Sequence, residues 1–181
     1  IATLQKVLKM KPDHANARIS LGAAYQQKGL LDQAVKEYWM AIFSQPHNAV
    51  ARYNLAKVLI LKNKPDSAIT VFREAIRLNP GYADANVEMG KLFFTRGAVD
   101  SAVAAYRRAL KAKIDHSDAH VNLAEALVKK GQMDEAVFEY KEAIKFKPDR
   151  PEAHFKLAYA LAEQKKDQEA IEEFKAFLKY T

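Results

Sequence analysis

The stretch SDAHVNLAEALVKKGQMDEAVFEYKEAIKFKPDR, residues 117–150, carries two runs of apolar residues on either side of Gly131. Within each run the apolar residues recur at spacings of three and four, which places them on one face of a helix. We therefore predict two amphipathic helices, over residues 120–130 and 134–147. Pro148 ends the second run and indicates where that helix stops.

The same pattern recurs along the chain with a period of 34 residues. Position 20 of each unit is alanine, position 24 is aromatic, and position 8 is glycine or alanine, so that two helix backbones can approach closely. The alanines are Ala34, Ala68, Ala102, Ala136 and Ala170, and the aromatic residues are Tyr38, Phe72, Tyr106, Tyr140 and Phe174. We assign the second helix of a partial unit to residues 1–14, full units to 15–48, 49–82, 83–116 and 117–150, and a nearly complete last unit to 151–181.

This pattern resembles the tetratricopeptide repeat at nearly every signature position, over the whole chain. The resemblance implies an all-α fold, a right-handed superhelical solenoid of antiparallel helix pairs, in a single domain. It also implies a non-catalytic scaffold that binds a peptide segment of a partner protein in its concave groove. A self-assembling scaffold is the alternative, because terminal repeats normally need polar caps and the apolar residues of the two end helices have none. These residues are Leu4, Val7, Leu8, Ile171, Phe174 and Leu178.

Charged residues mark the ends of the predicted helices in the four full units. Aspartate at position 18 begins the second helix, where we expect its carboxylate to accept free backbone N–H groups. Lysine or arginine at position 14 closes the first helix. The two sets are Asp32, Asp66, Asp100 and Asp134, and Lys28, Lys62, Arg96 and Lys130.

The last unit differs from the others at position 27. This position is alanine in the four full units and Phe177 in the last one. Because a following unit must approach there, we predict that no ordinary sixth unit packs on Phe177. The side chain is expected to close the core or to contact another chain.

The composition excludes several classes of protein. With 49% apolar and 28% charged residues, the chain has the composition of a folded protein rather than a disordered one. It has no run of about 18 apolar residues that would predict a membrane span, and no signal-peptide pattern. The chain starts inside a helical pattern at Ile1, which leaves room for an upstream segment. The absence of cysteine fits a reducing compartment, so a cytoplasmic location is the default expectation.

No motif of an enzyme is present in the sequence. A phosphate-binding glycine loop, a nucleophile elbow and an HExxH pair are all missing, and we expect neither catalysis nor a cofactor. His116 and His120, near Asp115 and Asp118, could be drawn as a metal site. A pair of histidines without a fixed third ligand is more often surface chemistry, so no metal is expected.

The resemblance implies that the first helices line the groove, at positions 5, 6, 9 and 12. The predicted peptide-binding residues are Ile19, Tyr53, Asn54, Lys57, Val87, Lys91, Phe94, Val121, Asn122, Glu125, Phe155 and Tyr159. Apolar members would form the floor, while Asn54 and Asn122 could donate to and accept from a ligand main chain. Relatives that clamp a terminal carboxylate have lysine at position 5 and asparagine at position 9. No unit here has either residue, which disfavours that function.

The outward side of the second helices is predicted to carry a basic stripe at positions 25 and 29. Its members are Arg73, Arg77, Arg107, Lys111, Lys141, Lys145, Lys175 and Lys179. Such a stripe could attract a polyanion or an anionic surface at long range. Nucleic acid is not the expected partner, because no aromatic residues interleave with these cations to stack on bases.

One unit breaks this stripe with two large apolar residues. Trp39 and Phe43 occupy positions 25 and 29 of the first full unit, one helical turn apart. We predict that this pair contacts a second copy, an N-terminal segment or a partner protein. The alternative is that Trp39 lies flat over side chains of its own chain, since single exposed apolar residues are normal.

Overall fold

A computed structural model describes residues 1–180, and within that range the chain forms eleven α-helices and no strand. The helices are α1 (Ala2–Met10), α2 (Ala15–Gln27), α3 (Leu31–Ser44), α4 (Ala49–Leu61), α5 (Pro65–Leu78), α6 (Ala83–Thr95), α7 (Val99–Ala112), α8 (Ser117–Lys129), α9 (Met133–Phe146), α10 (Pro151–Glu163) and α11 (Asp167–Tyr180). Each first helix starts at position 1 of its unit, three residues earlier than predicted. The chain divides into two compact units, residues 1–85 and 86–181.

In residues 1–85, α1 packs on α2, and the pairs α2–α3 and α4–α5 are joined by contacts between α3 and α4. The core consists of the small and aromatic residues that recur with the period. Tyr38 and Phe72 at position 24 are fully buried, as are the alanines at positions 20 and 27. Burial of each large side chain contributes about 1.5–3 kcal/mol. Helix α1 contributes no fully buried residue.

In residues 86–180, the pairs α8–α9 and α10–α11 repeat this packing, with α7 against α8 and α9 against α10. Tyr106 and Tyr140 fill the core position that Tyr38 and Phe72 fill in the other unit. At Gly90, an added Cβ would lie 2.5 Å from the Tyr106 ring. The small residue at position 8 therefore makes room for the aromatic ring at position 24.

The turn inside each helix pair needs a left-handed residue at position 15. Gly29, Gly97 and Gly131 occupy it with φ of 71°, 76° and 75°, while Asn63 and Lys165 adopt it with φ of 56° and 59°. Glycine takes this conformation without steric cost, whereas other residues are strained in it.

The position-18 aspartates were predicted to cap the second helices. This prediction is wrong for α3, α5, α7 and α9. The cap residues of α3, α5, α7 and α9 lie two positions earlier and make no side-chain cap bond. The aspartates instead bond to position 14 of the next unit: Asp32 pairs with Lys62, and Asp100 with Lys130 at 2.7 Å. Side-chain caps occur on the first helices, as at Asn48, whose Oδ1 accepts from the Ala51 N–H at 2.9 Å.

A partly buried bridge at position 4 connects several first helices to the second helix of the unit and to the preceding turn. The side chain at position 4 donates one hydrogen bond to a glutamate on the second helix of its own unit. It donates another to the backbone carbonyl at position 32 of the preceding unit. Arg18 bonds Glu37 and the Pro12 oxygen, both at 2.8 Å. His120 does the same with Glu139 at 2.6 Å and the Ile114 oxygen at 2.8 Å.

Candidate functional site

A mainly apolar pocket of about 350 Å³ opens between α8, α9 and α10, and we call it the groove pocket. The lining residues are Val128, Met133, Tyr140, Phe155, Lys156, Tyr159, Ala160 and Glu163. Phe155, Tyr159 and Val128 stand at positions 5, 9 and 12, which the sequence assigns to the groove. Met133 and Tyr140 come from the second helix of the preceding unit.

Aromatic contacts hold the wall of the groove pocket in place. Phe155 and Tyr159 lie one turn apart on α10 with ring centroids 5.6 Å apart, and Phe155 is also 5.2 Å from Phe177. Phe155 remains 41% exposed and Tyr159 58% exposed. Phe177 packs within its own chain, whereas a contact of this residue with a second chain stays a prediction.

Charged groups at the edge of the groove pocket are arranged as a network. Lys156 pairs with Glu125 on α8 and with Glu152 at 3.2 Å on α10. Burial lowers the pKa of Lys156, but the hydrogen bonds and charges of the two glutamates outweigh it and hold the pKa above its usual value. The ammonium therefore stays protonated beside an apolar cavity.

The two asparagines predicted to grip a main chain are available for that role. Asn54 on α4 and Asn122 on α8 are half-buried, and neither side chain bonds to another group among residues 1–180. Asn122 precedes Glu125 by about one turn of α8, and Glu125 pairs with Lys156 of the groove pocket. The two asparagines belong to different compact units and are considered separately.

The other predicted groove residues of residues 1–85 are partly engaged in contacts. Tyr53 packs on Phe72 and Tyr82 at centroid distances of 5.9 and 4.9 Å, and the Lys57 ammonium lies 5.4 Å from the Tyr53 ring. Ile19 is half-buried.

Two predicted floor residues are not accessible. Val87 and Val121, at position 5, are each only 2% exposed, so they belong to the core and are removed from the groove. Lys91 pairs with Glu88 at 2.9 Å, and the half-buried Phe94 has the Lys129 ammonium 5.1 Å from its ring. Residues with the same repeat position thus differ in exposure.

The sequence did not point to a second pocket, of about 560 Å³, between α1, α2 and α3. Its lining includes Leu8, Leu21 and Tyr25, with the pair Arg18–Glu37 at the edge. The incomplete unit at residues 1–14 was the only signal of this opening.

Half of the basic stripe is neutralised. Arg107 pairs with Glu135 at 2.9 Å and Lys141 with Glu169 at 3.1 Å, each joining position 25 to position 19 of the next unit. Lys145 and Lys175 pair with glutamates on their own helices. The cations of the predicted stripe are therefore not all free, and binding of a partner through them stays a prediction.

The histidine pair considered as a metal site is used for structure. The two ring nitrogens of His120 face Glu139 and the Ile114 oxygen, and His116 Nδ1 accepts from the Ala119 N–H at 3.3 Å. Within residues 1–180, no group of three or more His, Asp or Glu side chains is arranged to hold a metal ion. No helix in the same range is long and apolar enough to span a membrane.

Comparison with protein families matches the sequence to tetratricopeptide repeat models along its length. One model described as "Tetratricopeptide repeat" matches residues 1–49, 32–83 and 53–115. Others match residues 93–139, 124–165 and 152–180. The chain belongs to the tetratricopeptide repeat family. Members of this family are typically non-catalytic scaffolds for protein interaction, and the fold is an all-α helical repeat.

Solved structures of other tetratricopeptide repeat proteins share this fold. A crystal structure of MamA is 24% identical, with a TM-score of 0.79 over 88% of this chain and 93% of that one. The pilF protein of Pseudomonas aeruginosa is 20% identical, with a TM-score of 0.84 over 92% and 76%. YrrB, described as having an unusual peptide-binding site, is 18% identical, with a TM-score of 0.76 over 98% and 92%. No curated protein sequence matches the chain.

Proposed function

We propose that this tetratricopeptide repeat protein is an interaction scaffold whose residues 86–180 bind a segment of a partner protein. One large apolar side chain of that segment enters the groove pocket. The observation that carries this proposal is the pocket itself, whose volume of about 350 Å³ suits an aromatic or long aliphatic side chain. Ligand pockets are usually apolar cavities with a few polar groups that fix orientation.

The polar groups beside the groove pocket suit a peptide main chain. Asn122 can donate its amide N–H to a carbonyl and accept from a backbone N–H with its oxygen. Lys156 is paired with Glu125 and Glu152, and Glu163 also lines the pocket, so the charged groups at its edge are acidic on balance. A segment with an apolar anchor and no carboxylate beside it therefore fits better than a terminal carboxylate. Asn54 is proposed to hold a main chain in the same way in residues 1–85.

Selection of binders from a random peptide library, followed by fluorescence polarisation, tests this function. Tyr159→Ala removes an exposed wall of the groove pocket and should weaken selected peptides by roughly tenfold or more. Asn122→Ala should cost about 1–3 kcal/mol of binding free energy. Phe138→Ala is the matched control, because Phe138 is 60% exposed on α9 and does not line the pocket.

Selected peptides should share an aromatic or aliphatic anchor whose replacement by alanine abolishes binding. The proposal fails if Tyr159→Ala binds these peptides with the wild-type Kd while its circular dichroism and melting are unchanged. YrrB supports the choice of a peptide as probe, since a peptide-binding site is described for that protein.

Self-association through the end helices is a second candidate function. Ile171 and Leu178 on α11 are 47% and 70% exposed, and α1 has no fully buried residue. Sedimentation velocity over a range of concentrations tests it. A mass that rises with concentration, and that returns to the monomer value in Ile171→Lys/Leu178→Lys, is expected. A monomer at every concentration rules it out.

A further inference from the structure

We propose that the outward face of α3 and α5 is a docking surface for an anionic lipid membrane. Its centre is an apolar ridge on α3, defined as Trp39, Met40 and Phe43, and its border is the pair Arg73 and Arg77 on α5. The ridge is 52%, 38% and 84% exposed at these three residues. This surface is distinct from the groove pocket, and all of it lies within residues 1–85.

The border cations are free, unlike Arg107, Lys141, Lys145 and Lys175 at the same repeat positions of the other unit. Neither Arg73 nor Arg77 forms an ion pair or hydrogen bond among residues 1–180. Lys36, one turn before Trp39 and Met40 on α3, is likewise exposed and unpaired within that range. The repeat register that joins position 25 to position 19 in residues 86–180 places Trp39 beside Ser67 of α5. No carboxylate occupies that place. Arg73 and Arg77 stand on α5 at the same repeat positions, 25 and 29, that Trp39 and Phe43 occupy on α3, and all four side chains are exposed.

The acidic groups of α3 do not oppose an anionic surface. Glu37 is bonded to Arg18 at 2.8 Å and turned into the pocket between α1, α2 and α3. Asp32 lies at the far end of the helix and is paired with Lys62. The exposed face of α3 therefore combines apolar side chains with uncompensated positive charge.

The charge of the whole chain is concentrated in the same unit. Residues 1–85 carry 12 Lys and Arg against 6 Asp and Glu, a net charge of +6, while residues 86–181 carry 17 against 16. A cationic unit is drawn to an anionic bilayer over roughly a Debye length, and each cation near the surface contributes about a fivefold gain in binding. This field orients residues 1–85 toward the membrane.

The protruding apolar ridge favours a lipid bilayer as the partner over polyanions such as polyglutamate or an oligonucleotide. Phe43 is 84% exposed and projects from the surface, so it does not form a cavity that could receive a side chain of a protein partner. The headgroup region of a bilayer is deformable and accepts projecting side chains to a depth of about 5–10 Å, with tryptophan preferred at the interface. A nucleic-acid duplex would gain little from Met40 or Phe43 beside the arginines, because its outer surface is a phosphate backbone without an apolar partner. Stacking of single-stranded bases on Trp39 and Phe43 is a separate outcome of the test.

Trp39 is the only tryptophan of the chain, so its fluorescence reports directly on this surface. The full chain is titrated with vesicles of phosphatidylcholine containing phosphatidylserine, and with pure phosphatidylcholine vesicles. We expect cosedimentation and a blue shift of Trp39 emission with the anionic vesicles alone. Brominated lipids should quench the emission, and high salt should release the protein.

Two variants separate the charged and apolar parts of the surface. Arg73→Gln/Arg77→Gln should weaken binding to anionic vesicles by roughly 20-fold. Trp39→Ala/Phe43→Ala should weaken it by at least about tenfold. The control is Lys141→Gln/Lys145→Gln, which removes the same charge at the same repeat positions, where both lysines are already paired. The control should lose less than about threefold, since paired cations contribute little at long range.

Several results would overturn the proposal. One is the absence of cosedimentation, or equal loss in the control and in Arg73→Gln/Arg77→Gln. Another is a Trp39 shift with polyglutamate or a single-stranded oligonucleotide but not with vesicles, which would assign the surface to that polyanion. A third is a dimer in buffer that Trp39→Ala/Phe43→Ala dissociates, which would assign the ridge to a second copy.

Discussion

Replacement of His120 by arginine should reduce the pH dependence of the protein's stability. The His120 side chain is 6% exposed and faces Glu139 Oε2 at 2.6 Å and the Ile114 oxygen at 2.8 Å. Both partners are acceptors, so both ring nitrogens must carry a proton for the two bonds to form together. The Phe146 ring, stacked 5.6 Å away, also favours the cation.

The sign of the effect follows from the pKa. Burial lowers the pKa of His120, but the bond to Glu139, the bond to the Ile114 oxygen and the charges of Glu139 and Glu142 together raise it above its usual value. A raised pKa means that the bridge contributes its full stability below the unfolded value, near pH 6.5, and loses it as the pH rises through the folded value. The loss is about 1.4 kcal/mol for each unit by which the pKa is raised.

Arginine is the matched replacement, because the chain already uses it in the same bridge. Arg18 makes the equivalent bonds to Glu37 and to the Pro12 oxygen, both at 2.8 Å. Urea unfolding followed by circular dichroism, from pH 6 to pH 9, measures the free energy of unfolding. Wild type should lose stability as the pH rises, and His120→Arg should lose less. His154 makes a bridge of the same geometry, with Glu173 at 2.6 Å and the Pro148 oxygen at 2.9 Å.

The reasoning is refuted if the wild-type free energy of unfolding is constant across this range. It is also refuted if His120→Arg shows the wild-type slope at equal overall stability. If His120→Arg does not fold, His120→Asn serves instead, since it should lower stability at pH 6 more than at pH 9.

Three further substitutions have expected effects on stability, each measured by urea unfolding. Lys165→Gly should raise the free energy of unfolding by roughly 1 kcal/mol, because Lys165 is strained at φ of 59° and glycine is not. An unchanged free energy of unfolding would show that Lys165 is not strained. Gly90→Ala should destabilise by about 1–3 kcal/mol, because the added Cβ would lie 2.5 Å from the Tyr106 ring. If Gly90→Ala is as stable as wild type, the Tyr106 ring moves aside without a cost in free energy. Asn48→Ala should cost about 1 kcal/mol by removing the acceptor 2.9 Å from the Ala51 N–H, whereas Asn48→Asp should keep it.

The helices and the recurring core follow from local sequence. Apolar spacing along one helix depends only on the geometry of that helix, so the pairs α2–α3 and α8–α9 could be predicted from residues alone. The alanine and aromatic positions were likewise readable, because the same contact is repeated every 34 residues. Repetition reveals which positions face the core without any knowledge of neighbours.

The site depended on side chains brought together from distant parts of the chain. Val87 and Val121 share a position with Phe155, yet they are buried while Phe155 is 41% exposed. The Arg107–Glu135 pair joins residues 28 positions apart, which a search along one helix does not find. Pairing of this kind decided which cations of the predicted stripe are free.

By itself, the sequence determined the family, the order of the helices and the residues available to each face. Tertiary structure alone decided that Phe155 and Tyr159 wall a pocket with Met133 and Tyr140, and that His120 lies buried between two acceptors. The physical reason is the separation along the chain over which each effect acts. Helix periodicity acts over three or four residues, whereas exposure, ion pairing and cavity shape depend on which side chains of other helices fill the remaining space.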